Sequence, residues 1–241
     1  MSDDGGPSRP QTIQGEEASG NYDPSLIVTK TRVPSLRLDL LPRRRLLDSI
    51  QEHLTCKLIL ISAPAGYGKT SLLTEFAHTT ELPVCWYTLD TFDQDLSIFL
   101  DHLIGAIGRR FRGFGKRTRA LIREVAEPTG HLHPIAVSLV QEIHDRIPEY
   151  FVLVLEDHHT VEDQDEISVF LDLFLTYVDE NCHVILSSRR LPALPNLSLL
   201  VARRQAAGLS IDELRFTPDE VQALAHRNYG LELDADQASV L

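Results

Sequence analysis

The sequence predicts a three-layer α/β fold, with a central, mostly parallel five-stranded sheet and helices on both faces. Short, continuous apolar runs recur along the chain and are bounded by turn residues, as in strands buried on both sides. Segments with apolar residues at helical spacing lie between them. Strands that alternate with helices imply βαβ crossovers, which bring successive strands into parallel pairing.

Residues 1–24 consist largely of Gly, Ser, Pro, Asp and Glu and offer almost nothing to bury, so a disordered tail is expected there. From Leu26 the character changes. Pro34 and Pro42 break an extended lead-in, after which Leu46, Leu47, Ile50 and Leu54 recur at helical spacing. Lys57–Ser62 (KLILIS) is the first strand. Val84–Leu89, Phe151–Leu155, Cys182–Ser187 and the less regular Gly208–Phe216 follow as strands. Helical patterns fall near 69–79, 96–110, 116–126, 135–146, 164–178 and 218–229. There is no internal repeat. Residues 25–216 therefore read as one domain with its lead-in, and 217–241 as a separate helical piece.

Composition narrows the class. A net charge of −12 and a pI near 5.2 argue against a chain that coats nucleic acid by charge alone. The one basic island, Arg109, Arg110, Arg112, Lys116, Arg117, Arg119 and Arg123, reads as a solvated helix pair around the Gly113–Gly115 turn rather than a DNA contact. No apolar run reaches the ~18 residues of a membrane span. The N-terminus lacks the layout of a secretory signal. Cys56, Cys85 and Cys182 stand apart from one another, as buried free thiols do in a reducing compartment. A cytoplasmic protein is expected.

The chemistry concentrates after the first strand. Ala63-Pro64-Ala65-Gly66-Tyr67-Gly68-Lys69-Thr70 fits the Walker A phosphate loop, with Ala63 where glycine is usual. A helix N-terminus offers unpaired N–H groups and partial positive charge, so phosphate settles there. Gly66 and Gly68 permit the positive φ that wraps backbone around phosphate oxygens. Ala65, Gly66, Tyr67, Gly68, Lys69, Thr70 and Ser71 are the candidate nucleotide-binding residues. Lys69 is expected to reach the β- and γ-phosphates, and the Thr70 hydroxyl to bind Mg²⁺. ATP or ADP with Mg²⁺ is the expected cofactor.

Phe151–Asp157 (FVLVLED) is an apolar strand ending in two acids, the layout of a Walker B strand. Alternation along a strand sends neighbouring side chains to opposite faces. The two acids share one site only if the chain turns just past Glu156. On that condition Glu156 serves magnesium, through water, and Asp157 orients attacking water. His158 and His159 lack other ligands at metal spacing; one of them is expected in a polar loop near the γ-phosphate. His131 and His133 sit in a Gly/Pro-flanked loop and are expected at the surface. Arg189, after the fourth strand, faces the crevice where ligands of parallel sheets bind and is a candidate γ-phosphate sensor. Asp93 or Asp95 can cap the helix beginning near Leu96.

TKTRVP, PRRRLL, SAPAGYGKTSLL, VCWYTLD with Asp93, LVLEDHH, VILSSR and LRFTPDEV together resemble the MalT-like branch of the STAND P-loop NTPases, found in large LuxR-type bacterial transcription activators. The resemblance runs from about Leu26 to the end of the chain. It implies a regulatory switch: ADP holds the domain closed, ATP with an inducer opens it for self-association, and slow hydrolysis resets it. By this resemblance Lys69, Asp157 and Arg189 are catalytic, Arg189 matches a sensor arginine, and Arg43 matches an arginine that reaches the nucleotide from the lead-in. Asp90 also matches a family position. Glu156 stands where Asp is usual, and His158 where Tyr is common. Residues 217–241 resemble the beginning of the family's helical lid. Family members continue into a winged helix, an inducer-binding superhelix and a DNA-binding helix-turn-helix outside these 241 residues, so an excised or shortened chain is expected. DNA is then a partner only through that absent domain. The alternative is a stand-alone P-loop ATPase with true multiple turnover.

Overall fold

The computed structural model describes residues 27–37, 40–125 and 127–240. The expected tail, 1–24, lies outside the described residues. Five strands form the sheet: β1 (Leu58–Ser62), β2 (Val84–Thr88), β3 (Phe151–Glu156), β4 (Cys182–Ser188) and β5 (Ala206–Leu209). Their spatial order is β2-β3-β4-β1-β5 and every pairing is parallel. The two motif strands, β1 and β3, are therefore not neighbours. β4 separates them, and their C-terminal ends flank its own.

Alternation splits the sheet into two apolar faces. Leu58, Leu60, Cys85, Tyr87, Leu153, Leu155, Val184 and Leu186 form one, against Phe99, Leu139 and Phe170. These three come from α3 (Leu96–Arg110), α5 (Leu132–Arg146) and α6 (Asp165–Tyr177). Ile59, Ile61, Trp86, Val152, Val154 and Ile185 form the other, against Ile50 of α1 (Arg44–Glu52) and Leu73 of α2 (Lys69–Thr79). Helices thus cover both faces, which makes the three layers.

α3 starts where Asp95 accepts from the amides of Ser97 and Ile98, at 2.8 and 3.0 Å. Asp95, not Asp93, is its cap. Asp93 instead joins Asp90 in capping the short turn Thr91–Gln94. α4 (Lys116–Glu124) ends before residue 126, and α5 begins three residues ahead of the expected position 135. The α3–α4 corner presents Arg109, Arg110, Arg112, Lys116, Arg117 and Arg123 to solvent, as a solvated face does. His131 and His133 are exposed too. Cys85 and Cys182 are buried free thiols, and Cys56 is half-buried and free.

The expected strand Gly208–Phe216 is corrected. Pairing with β1 ends at Leu209, because Ser210 and Glu213 form a capping box that opens the short helix α8 (Ile211–Leu214). A further helix, α7 (Leu197–Ala202), lies between β4 and β5 and was not anticipated. α9 (Pro218–Tyr229) follows with its own Thr217–Glu220 capping box, ends at Gly230 in left-handed conformation, and is followed by α10 (Ala235–Val240).

The lead-in straps the molecule. Its short turn Val28–Thr31 lies beside β2 and α3, where buried Lys30 reaches Asp90 and Asp93, each at 2.8 Å. His102 accepts the Ile27 amide on Nε2 at 3.1 Å and turns Nδ1 toward the Ile98 carbonyl at 3.0 Å and Asp93 at 3.3 Å. Farther along, the His78 ring meets the Pro34 carbonyl at 2.9 Å, and the chain then enters α1.

Candidate functional site

The loop Ala63–Gly68 leaves the C-terminal end of β1 and opens α2, as the order of apolar strand, glycine-rich turn and helix requires. Gly66 and Gly68 have φ of 93° and 74°, left-handed values that a side chain disfavours. Gly68 is the residue before the first turn of α2. The first amides of that helix therefore face the space above the sheet edge, with no side-chain cap taking them. Lys69 is buried, and its ammonium donates to the carbonyls of Ala63 at 2.6 Å and Pro64 at 3.0 Å. Burial lowers its pKa; Asp157 and Glu156 pull it back up, and Arg189 pushes it down. Lys69 thus lies within electrostatic range of both acids and of Arg189. Ala65, Gly66, Gly68 and Thr70 are exposed; Tyr67, half-buried, packs on the α1–α2 face, and Ser71 is half-buried.

β3 ends with Glu156, which is 2% exposed, and the chain then turns: Asp157 has φ 59° and ψ 37°. That left-handed residue is the turn that lets two adjacent acids serve one site. Glu156 lies on the same face as Val152 and Val154, the face covered by α2. One carboxylate oxygen, Oε2, accepts from Thr88 at 3.1 Å, while Oε1 is buried without a partner. Burial raises the Glu156 pKa, partly offset by the nearby Thr70 hydroxyl, which lies outside hydrogen-bond geometry, by the Thr88 hydroxyl and by Lys69. Asp157 is more open, with His159 Nδ1 at 3.7 Å.

The two histidines divide. His158 is buried with both ring nitrogens unpartnered, and burial pushes its pKa down to about 4. His159 is lowered by burial and by Arg189, and raised by Asp157, so it is the one beside the site. Arg189 is exposed past the end of β4.

Arg43 stands elsewhere. It is buried, with Nη2 donating to the Arg215 carbonyl at 2.7 Å and to Glu220 at 3.2 Å, and with its guanidinium 4.3 Å from the Phe216 ring centre. In this structure it joins the lead-in to the start of α9. Two features were missed by the sequence reading. Thr88, in register with Glu156, touches it from β2. Ser187, at the end of β4 between the two motif strands, is buried with an unpartnered hydroxyl. The hydroxyls before Arg189 in VILSSR were the only signal for Ser187.

Glu156 Oε1, orphaned and hard, beside the Thr70 hydroxyl, fits one edge of a magnesium shell. Among the described residues no group of three or more His, Cys, Asp or Glu could hold a metal unaided. A magnesium ion here would draw its remaining oxygens from phosphate and water, its usual preference. A separate cavity of about 800 Å³, lined by Lys57, Tyr150 and His183 among others, opens at the opposite end of the sheet and contains none of these residues.

An all-parallel sheet carrying a glycine loop into a helix, with an acid pair across the strand edge, defines a P-loop nucleotide-binding fold. The chain is, more particularly, MalT-like. It is 30% identical over 200 residues to the HTH-type transcriptional regulator MalT of Yersinia pestis (strain Pestoides F), covering 82% of this chain and 21% of that protein. It is 28% identical over 219 residues to MalT of Yersinia enterocolitica serotype O:8 / biotype 1B, covering 90% and 23%. The chain thus spans about a fifth of the length of these curated relatives. No family model matches it. Among solved structures it is similar to the Walker-type ATPase paby2304 of Pyrococcus abyssi (15% identity, TM-score 0.48, 86% of this chain and 64% of that one). It is also similar to the Aeropyrum pernix ORC1 protein in complex with DNA (15%, 0.49, 80% and 50%). Among the described residues no helix is long and apolar enough to cross a membrane.

Proposed function

We propose that the chain binds ATP or ADP with Mg²⁺ and works as a nucleotide-dependent switch with slow hydrolysis, within a regulator of the MalT type. The observation that carries this reading is a glycine loop opening a helix whose first amides have no side-chain cap, with the buried Lys69 ammonium on the loop carbonyls and Glu156 ending β3 with one free carboxylate oxygen. Phosphate would take those amides and draw the Lys69 ammonium away from the Ala63 and Pro64 carbonyls. Thr70 and Glu156 would hold magnesium, the latter through water. The ion's chemistry is to neutralise charge on the phosphates. Asp157, half-open at the turn, is placed to orient water, and exposed Arg189 to contact a γ-phosphate. A γ-phosphate biases a switch only through contacts that ADP cannot make. Arg189 and Asp157 are those contacts.

Residues 25–216 then form the nucleotide domain and 217–241 the beginning of a lid. Self-association in the ATP state, and DNA contact through a part of the regulator outside this chain, belong to the same reading. The test is extraction of nucleotide from the purified protein. Wild type should retain ADP and turn over slowly, whereas Lys69→Ala should retain little. Rapid multiple turnover would favour a stand-alone ATPase, and failure of both nucleotides with millimolar magnesium to raise the melting temperature would defeat the reading.

A further inference from the structure

We propose that Thr88 is a positioning residue for Glu156, and that with Trp86 it forms a relay aiming the free carboxylate oxygen at magnesium. This rests on the nucleotide reading above. Trp86 and Thr88 lie two apart on β2 and so share a face, the one on which β3 carries Val154 and Glu156. Thr88 and Glu156 are direct partners in the β2–β3 register. The indole of Trp86, 1% exposed, donates from Nε1 to Thr88 Oγ1 at 2.8 Å. An indole N–H only donates, so the hydroxyl must accept it and has its single proton left for Glu156 Oε2, at 3.1 Å. The relay runs in one direction and ends on a carboxylate that can only accept.

Its consequence is orientation. Glutamate carries one more methylene than the aspartate usual at this position, and so one more torsion to fix. Holding Oε2 against β2 fixes that torsion and leaves Oε1, buried and without a partner, as the atom for the metal's water shell. The anchor is rigid because the indole is packed in the core formed with Phe76 and Val154. A Thr88 that merely satisfied the indole would give Glu156 no such constraint.

Trp86 is the chain's single tryptophan, so its emission reports on this relay: Thr88→Val should change the wild-type spectrum and Thr88→Ser should restore it. The ratio of ADP affinities with magnesium and in EDTA should fall about tenfold in Thr88→Val and recover in Thr88→Ser, as for other residues that orient a metal ligand. A Thr88→Val protein that binds ADP and keeps the wild-type magnesium ratio overturns the proposal. A wild type that binds no ADP overturns the nucleotide reading and the magnesium role with it, while the emission spectra still decide whether Thr88 holds the indole.

Discussion

Glu156 is held where a charge is costly. Burial raises its pKa, and the unfolded chain binds its proton less tightly than the folded one, so this group's contribution to stability falls as pH rises from the ordinary carboxylate range through the folded value. At neutral pH it is a cost, offset in part by Lys69 and the two threonine hydroxyls. Glu156→Gln keeps an acceptor for Thr88 and removes the charge. It should raise the melting temperature at pH 7 by about 2–4 °C, the shift of ~1 kcal/mol in a domain of this size, and the gain should shrink at pH 4. The same variant should lose the magnesium dependence of nucleotide binding. Calorimetric melts at the two pH values and ADP titrations with and without magnesium check the pair. A cost in stability at a binding residue is what a preformed site requires.

At the scale of elements, the turn Val28–Thr31 is tied to the turn Thr91–Gln94 by Lys30, which pairs with buried Asp93 and with Asp90. Burial alone would raise the Asp93 pKa, yet the bonds from His102 and Lys30 and the Asp90 amide hold it at about 2 against an ordinary 3.8. Such a depressed carboxylate stabilises the fold above its unfolded pKa and stops doing so as pH falls from about 4 toward 2. Acid unfolding in that window, moved by Asp93→Asn, is expected in circular dichroism. Lys30→Met, which leaves Asp93 buried with less compensation, should cost about 3–5 kcal/mol in urea unfolding. This anchor shows where legibility in the sequence ends. KLILIS, APAGYGKT and FVLVLED could be read because strand, turn and helix signals there are local and contiguous. Lys30 with Asp93, and Thr88 with Glu156, lie 63 and 68 residues apart and meet only in the fold, the first pair through packing of two turns and the second through strand register, which no local pattern states. β5 was misplaced for a related reason. Apolar Ile211, Leu214 and Phe216 recur past Leu209 among polar residues, and the reciprocal Ser210–Glu213 cap ends the strand.

For the whole molecule, the first helix and the start of α9 are clasped together across the chain. Glu220 receives Arg43 at 3.2 Å and Arg45 at 3.0 Å, while both arginines donate to the Arg215 carbonyl and Arg45 reaches the Glu213 carbonyl as well. Burial would raise Glu220, but Arg45, the Thr217 amide and Arg43 bring its pKa below the ordinary value. Glu220 also closes the capping box of α9, so one carboxylate sets both the helix start and its attachment. Removing it as Glu220→Ala strips a cap worth about 1 kcal/mol and leaves the buried Arg43, among the described residues, with the Arg215 carbonyl and the Phe216 ring. Trypsin should then cut after Arg215 several-fold faster, because the carbonyl there loses the geometry that two guanidiniums impose. If Arg43 is to reach nucleotide, as the resemblance implies, it must exchange Glu220 and Arg215 for that ligand, and the start of α9 must come free at the same moment. ATP should therefore speed cleavage after Arg215 in wild type, and Arg43→Ala should be cut fast with or without it. Timed digestion of the two proteins, with and without ATP, decides the matter: a wild-type rate that ATP leaves unchanged means that Arg43 stays in its clasp and serves the attachment of α9 alone.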